Sequence, residues 1–260
     1  MTRRLQSPRG VPCWADLWTS DVAGARTFYP ELLGWEAQEP SSEFGGYFMF
    51  TRQGVPVAGG LGDMGNMRAS NSWRVYLATD AIRATVEAAS AAGALVILEP
   101  TPVGDLGWQA VLQDPGGIPV SLWQPETFQG FSVLDEPGAP CWFELWTRDY
   151  AASLAFYQSV FSWQMSSISD SDQFRYAVMR NPDGDGQLAG VMDARTVLPE
   201  GSPGFWSVYW EVADVDLASA KVSGLGGAVV RSPEDSPYGR LATVADTSGV
   251  EFRVMARAKR

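Results

Sequence analysis

Two carboxylates set among tryptophans are the groups in this chain best placed for chemistry. In PCWADLWTSD (Pro12–Asp21) Asp16 stands between Trp14 and Trp18, and in PCWFELWTRD (Pro140–Asp149) Glu144 stands between Trp142 and Trp146. A two-residue spacing is the period of a β-strand, so each carboxylate shares a face with its two indoles. Cys13, Ala15 and Leu17, or Cys141, Phe143 and Leu145, then form the opposite face, which suits packing under a helix. The tryptophan–carboxylate face is therefore expected to line a cavity. An Asp or Glu between indoles is costly to bury unless paired, and desolvation moves its pKa up towards a useful acid/base range. The chain has no histidine, so a general acid or base must come from Asp, Glu, Tyr, Lys or Cys. Asp16 and Glu144 are the candidates.

Other chemistries are disfavoured. A Ser/His/Asp set is excluded without histidine, and no GxSxG, phosphate-cradling glycine loop or dinucleotide fingerprint occurs. Hydrolase, kinase and dehydrogenase readings fall away. The net charge of −11 disfavours nucleic acid and anionic membrane, which require a basic face. It suits a neutral, aromatic or cationic small molecule. Cys13 and Cys141 occupy the same place in the two copies, without CxxC spacing, and read as small buried thiols rather than a zinc site or a disulfide. NPDGDG (Asn181–Gly186) lacks the later carboxylate of a calcium loop and reads as a hairpin turn. No apolar run is long enough for a membrane span. MTRRLQSPRG lacks the apolar stretch of a signal peptide, so a cytoplasmic location is expected.

The elements that must position these residues come from a duplication. At an offset of 128, Trp14 falls on Trp142, Trp18 on Trp146, Asp21 on Asp149, Phe28-Tyr29 on Phe156-Tyr157 and Trp35 on Trp163. VAGGLGD near Gly59 answers LAGVMD near Gly190. Such self-similarity signals two homologous domains, placed at residues 1–127 and 139–260 with a linker at 128–138 inside the turn-rich PETFQGFSVLDEPG. Each half also divides. A strand, a helix capped by Asp21 (and interrupted by Pro30) and three short strands are followed by SWRVYLAT, DAIRATVEAASAAGA, ALVILEP, GWQAVLQD and IPVSLWQ. The second half repeats the order, so the expected fold is α+β, with four βαβββ units forming curled, mixed sheets.

This order, with an aspartate closing strand one, a helix bearing FY then LGW, and the hairpin DPGG-IPVSLW, resembles the vicinal oxygen chelate superfamily of glyoxalases, bleomycin-resistance proteins and dioxygenases. It is similar in particular to tandem-domain actinobacterial glyoxalase-like or hydroxylase members, and the two domains are accordingly glyoxalase-like. The resemblance implies a divalent metal held by His, Gln or Glu seven residues before the aspartate that opens each helix, and by Glu on a closing strand. Here those places fall on Trp14, Trp73, Trp142 and Trp206 or Ser207, and on Ser121 and Arg253. Indole offers no lone pair and arginine is a cation, so no metal and no other cofactor is expected.

By strand parity, Trp73, Val75 and Leu77 with Ser121 and Trp123 join cavity one, and Trp206, Glu251 and Arg253 join cavity two. Arg253 is expected to pair with Glu144 or Glu251, while Arg74 is expected on the face away from Asp16. Three functions stay open. One is metal-independent binding of a small aromatic or polyketide-like molecule by Trp14, Trp18, Trp73, Ser121, Trp142, Trp146, Trp206 and Arg253, in the manner of sequestering resistance proteins. Another is a metal-free isomerase, lyase or cyclase using Asp16 or Glu144. The third is a structural role with filled cavities. The tandem arrangement is compatible with a monomer or a homodimer.

Overall fold

A computed structural model describes residues 7–62, 71–180 and 187–258, and NPDGDG lies outside them. Four βαβββ units follow one another. The first is β1 (Pro12–Thr19), α1 (Val22–Leu33), β2 (Glu36–Ala37), β3 (Phe48–Arg52) and β4 (Val55–Gly62). The second is β5 (Ser72–Ala78), α2 (Ile82–Ala91), β6 (Leu95–Val103), β7 (Gly107–Gln113) and β8 (Pro119–Pro125). The third is β9 (Pro140–Thr147), α3 (Tyr150–Phe161), β10 (Gln164–Asp170), β11 (Arg175–Arg180) and β12 (Gln187–Asp193). The fourth is β13 (Phe205–Glu211), α4 (Val215–Gly224), β14 (Ala228–Ser236), β15 (Gly239–Ala245) and β16 (Glu251–Arg257). No helix among the described residues is long and apolar enough to cross a membrane.

Each half makes one mixed eight-stranded sheet, in the orders β2-β3-β4-β1-β5-β8-β7-β6 and β10-β11-β12-β9-β13-β16-β15-β14. The opening strand of each half lies at the centre. β1 runs parallel to β4 and antiparallel to β5, and β9 does the same with β12 and β13. Asp21 and Asp149 cap the helices that follow, accepting from Gly24 N and Ala152 N, which satisfies one orphan N–H in each first turn. Helix α1 is not interrupted at Pro30: it runs on to Leu33 and stops at Gly34, whose φ of 71° is the left-handed cap that glycine adopts freely. Pro30 lies in the last turn, where little of the helix remains to be disrupted.

Both sheets turn one face to a shared core. Cys13, Ala15, Leu17, Leu145 and Val208 are fully buried there, and Cys13 and Cys141 are free thiols. The family-like motifs tie the halves together across this core. Tyr29 of α1 donates to Asp246 in the β15–β16 turn, and Tyr157 of α3 donates to Asp114 in the β7–β8 turn. Trp35 Nε1 donates to Gly138 O and Trp163 Nε1 to Gly10 O. With one face of each sheet turned to this core, the opposite face carries the tryptophan–carboxylate residues of β1 or β9 and is termed a cup.

Candidate functional site: two carboxylate–tyrosine cups

In the first cup Asp16 is 4% exposed. Its Oδ1 accepts from Trp14 Nε1 at 2.8 Å and Tyr47 Oη at 2.7 Å, and its Oδ2 from Tyr76 Oη at 2.7 Å. Register explains the grouping: Asp16 pairs with Gly59 of β4 and Arg74 of β5, and Trp14 pairs with Tyr76. Gly59 is required, because a Cβ there would overlap both Tyr47 Oη and Asp16 Oδ1. Burial raises the Asp16 carboxyl above its ordinary value, partly offset by Tyr76, Tyr47 and Trp14 and by the charge of Arg74. Burial, and then the Asp16 charge, raise both tyrosines well above theirs. The Arg74 guanidinium lies 3.6 Å over the Trp18 ring.

The segment between β8 and β9 covers this cup. Phe128 meets Trp14 edge-on at 4.8 Å and Trp123 at 6.0 Å, and Phe131 packs on Trp14 at 5.0 Å. Trp123 Nε1 donates to Phe128 O and Phe131 N to Cys13 O, so the cover is fastened by its backbone as well as by its rings.

The second cup repeats the design with changes. Glu144 Oε1 accepts from Tyr176 Oη and Oε2 from Tyr209 Oη, each at 2.7 Å, and Oε2 also accepts from Trp146 Nε1. Trp142 Nε1 donates to Tyr176 Oη. Gly190 pairs with Glu144, and a Cβ there would overlap Tyr176 Oη. Arg253 is 5% exposed, lies 4.3 Å over the Trp146 ring and donates through Nη1 to Ser207 Oγ. The rim is aromatic: Phe205 stacks on Trp146 at 5.6 Å and Phe174 on Tyr176 at 5.7 Å. Trp142 and Phe205 are half-buried, and Phe174 is 46% exposed.

Several expected lining residues lie elsewhere. Trp73, Val75 and Leu77 face the shared core, where Trp73 packs against Tyr29 at 5.4 Å and Trp210 at 5.0 Å. Trp206 does likewise against Tyr157 and Trp163. Arg74, expected on the far face, is on the cup face of β5. Helix α2 begins after Ala81 rather than Asp80, which shifts the seven-residue count from Trp73 to Arg74. Asp214 caps α4, which selects Ser207 over Trp206. Arg253 enters no ion pair with Glu144 or Glu251 among the described residues, and Glu251 is exposed. Trp14, Trp18, Ser121, Trp142, Trp146 and Arg253 are on cup faces beside their carboxylates.

The four tyrosines escaped the strand-alternation argument. Their signal was available as Tyr76 and Tyr209 at matching places in SWRVYLAT and FWSVYWEV, and as the matched glycines at 59 and 190. The places that bear metal ligands in the resembled family hold Trp14, Arg74 and Ser121 in one cup and Trp142, Ser207 and Arg253 in the other. Two indoles, two guanidiniums and two hydroxyls do not fit a divalent cation, and the neighbouring carboxylates have most of their acceptor capacity taken by three donors each. Among the described residues, no three His, Cys, Asp or Glu side chains cluster as a metal site.

Comparison with known proteins agrees with this architecture. Residues 14–123 match the model of a glyoxalase-like domain, and residues 140–254 match the Glyoxalase/Bleomycin resistance protein/Dioxygenase superfamily. CFP32 of Mycobacterium tuberculosis, provisionally named a glyoxylase, is 33% identical over 99% of both chains. The anthracycline biosynthesis protein DauV of Streptomyces sp. (strain C5) is 34% identical over 95% of this chain and 93% of its own. The Mn(II)-bound glyoxalase from Novosphingobium aromaticivorans shares the fold at 14% identity, with a TM-score of 0.67 over 97% of this chain and 84% of that one.

Proposed function

The chain belongs to the glyoxalase/bleomycin resistance/dioxygenase superfamily, and from that premise we propose that it binds a flat aromatic, polyketide-like small molecule in its second cup without a metal ion. The observation that carries this reading is the half-open aromatic rim of Trp142, Phe205 and Phe174 above a carboxylate already held by three donors. Aromatic walls with a few fixed polar groups are the usual make-up of a small-molecule site. DauV and DnrV, both named for anthracycline biosynthesis, support a polycyclic ligand. Glu144 then acts by fixing the Tyr176 and Tyr209 hydroxyls, whose remaining lone pairs accept hydrogen bonds from the ligand.

The test is a tryptophan-fluorescence and calorimetric titration with anthraquinone-type compounds. Wild type and Trp14→Ala should bind, and Trp142→Ala should lose most of the affinity. A flat response across such compounds, or binding lost with Trp14 and kept without Trp142, overturns the reading. Stoichiometric divalent metal in protein purified without added metal overturns the metal-independent part. The catalytic alternative predicts that Glu144→Gln binds normally yet abolishes turnover of a bound compound.

A further inference from the structure

The second cup holds a buried cation whose capacity is largely unspent. A guanidinium carries five N–H donors, and the Arg253 side chain uses one of them on Ser207 Oγ. It enters no ion pair among the described residues although the residue is 5% exposed. Burying an arginine without a direct ion pair is costly. The Trp146 face at 4.3 Å, with Tyr209 at 5.3 Å and Phe205 at 5.9 Å, repays only part of that cost. Glu144 is not the missing partner, since its two oxygens are taken by Tyr176, Tyr209 and Trp146.

A second observation comes from the register. Tyr76 pairs with Ser121 and Tyr209 with Arg253, and Asp16 faces Arg74 where Glu144 faces Ser207. Arginine and serine have thus exchanged strands between the halves, yet each guanidinium lies over the equivalent indole, Trp18 or Trp146. An arginine on a tryptophan beside the carboxylate is part of the cup's design in both halves, whichever strand supplies it.

We infer that Arg253, stacked on Trp146, is an oxyanion anchor, and that the second cup takes flat aromatic ligands bearing a carboxylate or phenolate oxygen. This rests on the aromatic-binding reading above and narrows its ligand class. The negative net charge of the whole chain does not oppose it, because exposed charges are screened within roughly 8 Å at physiological salt. Of the nearer charges, Glu144 on Trp146 Nε1 opposes an oxyanion but is held by three donors, and Arg231, at the rim 5.8 Å over the same Trp146 ring, favours one.

The experiment is calorimetric titration with a matched pair of probes, anthraquinone-2-carboxylate and anthraquinone-2-carboxamide. Wild type should prefer the carboxylate roughly tenfold, the size of one charge-assisted hydrogen-bonded contact. Arg253→Met should lose that preference while holding the carboxamide affinity, and Arg74→Met should leave both unchanged. Equal binding of the two probes to wild type, or a preference that survives Arg253→Met, overturns the anchor and leaves the aromatic-binding reading standing. If neither probe binds, both fall together. Should Arg253→Met not fold, Arg253→Lys keeps the charge but gives up the planar fork. It should then reduce the preference without weakening the carboxamide, and an undiminished preference would overturn the anchor.

Discussion

The two cups share one plan and differ in three particulars. The first uses aspartate and the second glutamate, and one methylene decides which indole donates: Asp16 takes Trp14 Nε1, whereas Glu144 takes Trp146 Nε1. The first is covered by Phe128 and Phe131 from the segment after β8, and the second carries an exposed aromatic rim. The charge of Arg74 acts on Asp16, whereas Arg253 has a hydroxyl partner. Duplication supplied two copies of a polar clamp. Closing one with the chain's own rings made it a packed element and left the other free to meet a ligand.

The sharpest way to break this comparison is at the glycines. A Cβ at Gly59 collides with Tyr47 Oη and Asp16 Oδ1 together, and one at Gly190 collides with Tyr176 Oη. At Gly59 the Asp16 carboxylate of the central strand must give way as well as the tyrosine, whereas at Gly190 only the Tyr176 ring must shift, next to the exposed Phe174. Gly59→Ala should therefore destabilise by about 3 kcal/mol and Gly190→Ala by about 1 kcal/mol, within the range for overpacking a core. Urea denaturation midpoints would measure both. Equal losses, or the reverse order, would mean that the first cup is no more rigid than the second.

The rings that cover or border the cups give the next largest contrast. Phe128→Ala should cost about 2 kcal/mol, less than for a fully buried phenylalanine because Phe128 is half-buried. It should also open Trp14 to quenching by acrylamide. Phe174→Ala should stay within about 0.5 kcal/mol of wild type, as exposed positions do, yet weaken the anthraquinone probes. If Phe174 proves the more stabilising ring, or Trp14 stays shielded without Phe128, the assignment of cover and rim is wrong.

Much of this plan was legible in the chain, and what was not has a definite cause. Alternation within one strand put Trp14, Asp16 and Trp18 on a single face, as found. The pairing between strands was less accessible, because a one-residue slip exchanges the two faces of a strand. Counting from Asp80 rather than the helix start after Ala81 made that slip at β5, placing Trp73 in the cup and Arg74 outside it. At β13 the cap is Asp214 itself, and the alternative Ser207 was available. The tyrosine clamp joins segments distant in sequence, Tyr47 with Asp16 and Tyr209 with Glu144, so no periodicity in one strand announces it. The glycines opposite the carboxylates were its trace, legible only as matched positions of the repeat.

The smallest expected effect tests whether the cover is what sets Asp16 apart. Burial raises its carboxyl above the ordinary 3.8, so the folded state holds the proton more tightly than the unfolded chain does. The contribution of this group is then most favourable below that value and is lost as pH rises through the raised one. Asp16→Asn does not titrate there. Wild type should therefore hold its greatest advantage over Asp16→Asn below the ordinary 3.8 and lose it as pH rises through the raised value, as followed by urea midpoints across the range. In a Phe128→Ala background, where water reaches the cup, the same pair of curves should run closer to parallel. A wild-type advantage that grows with pH would show that the three donors outweigh desolvation. One that changes with pH equally in both backgrounds would show that burial by the β-sheet itself, and not the phenylalanine cover, governs the carboxyl.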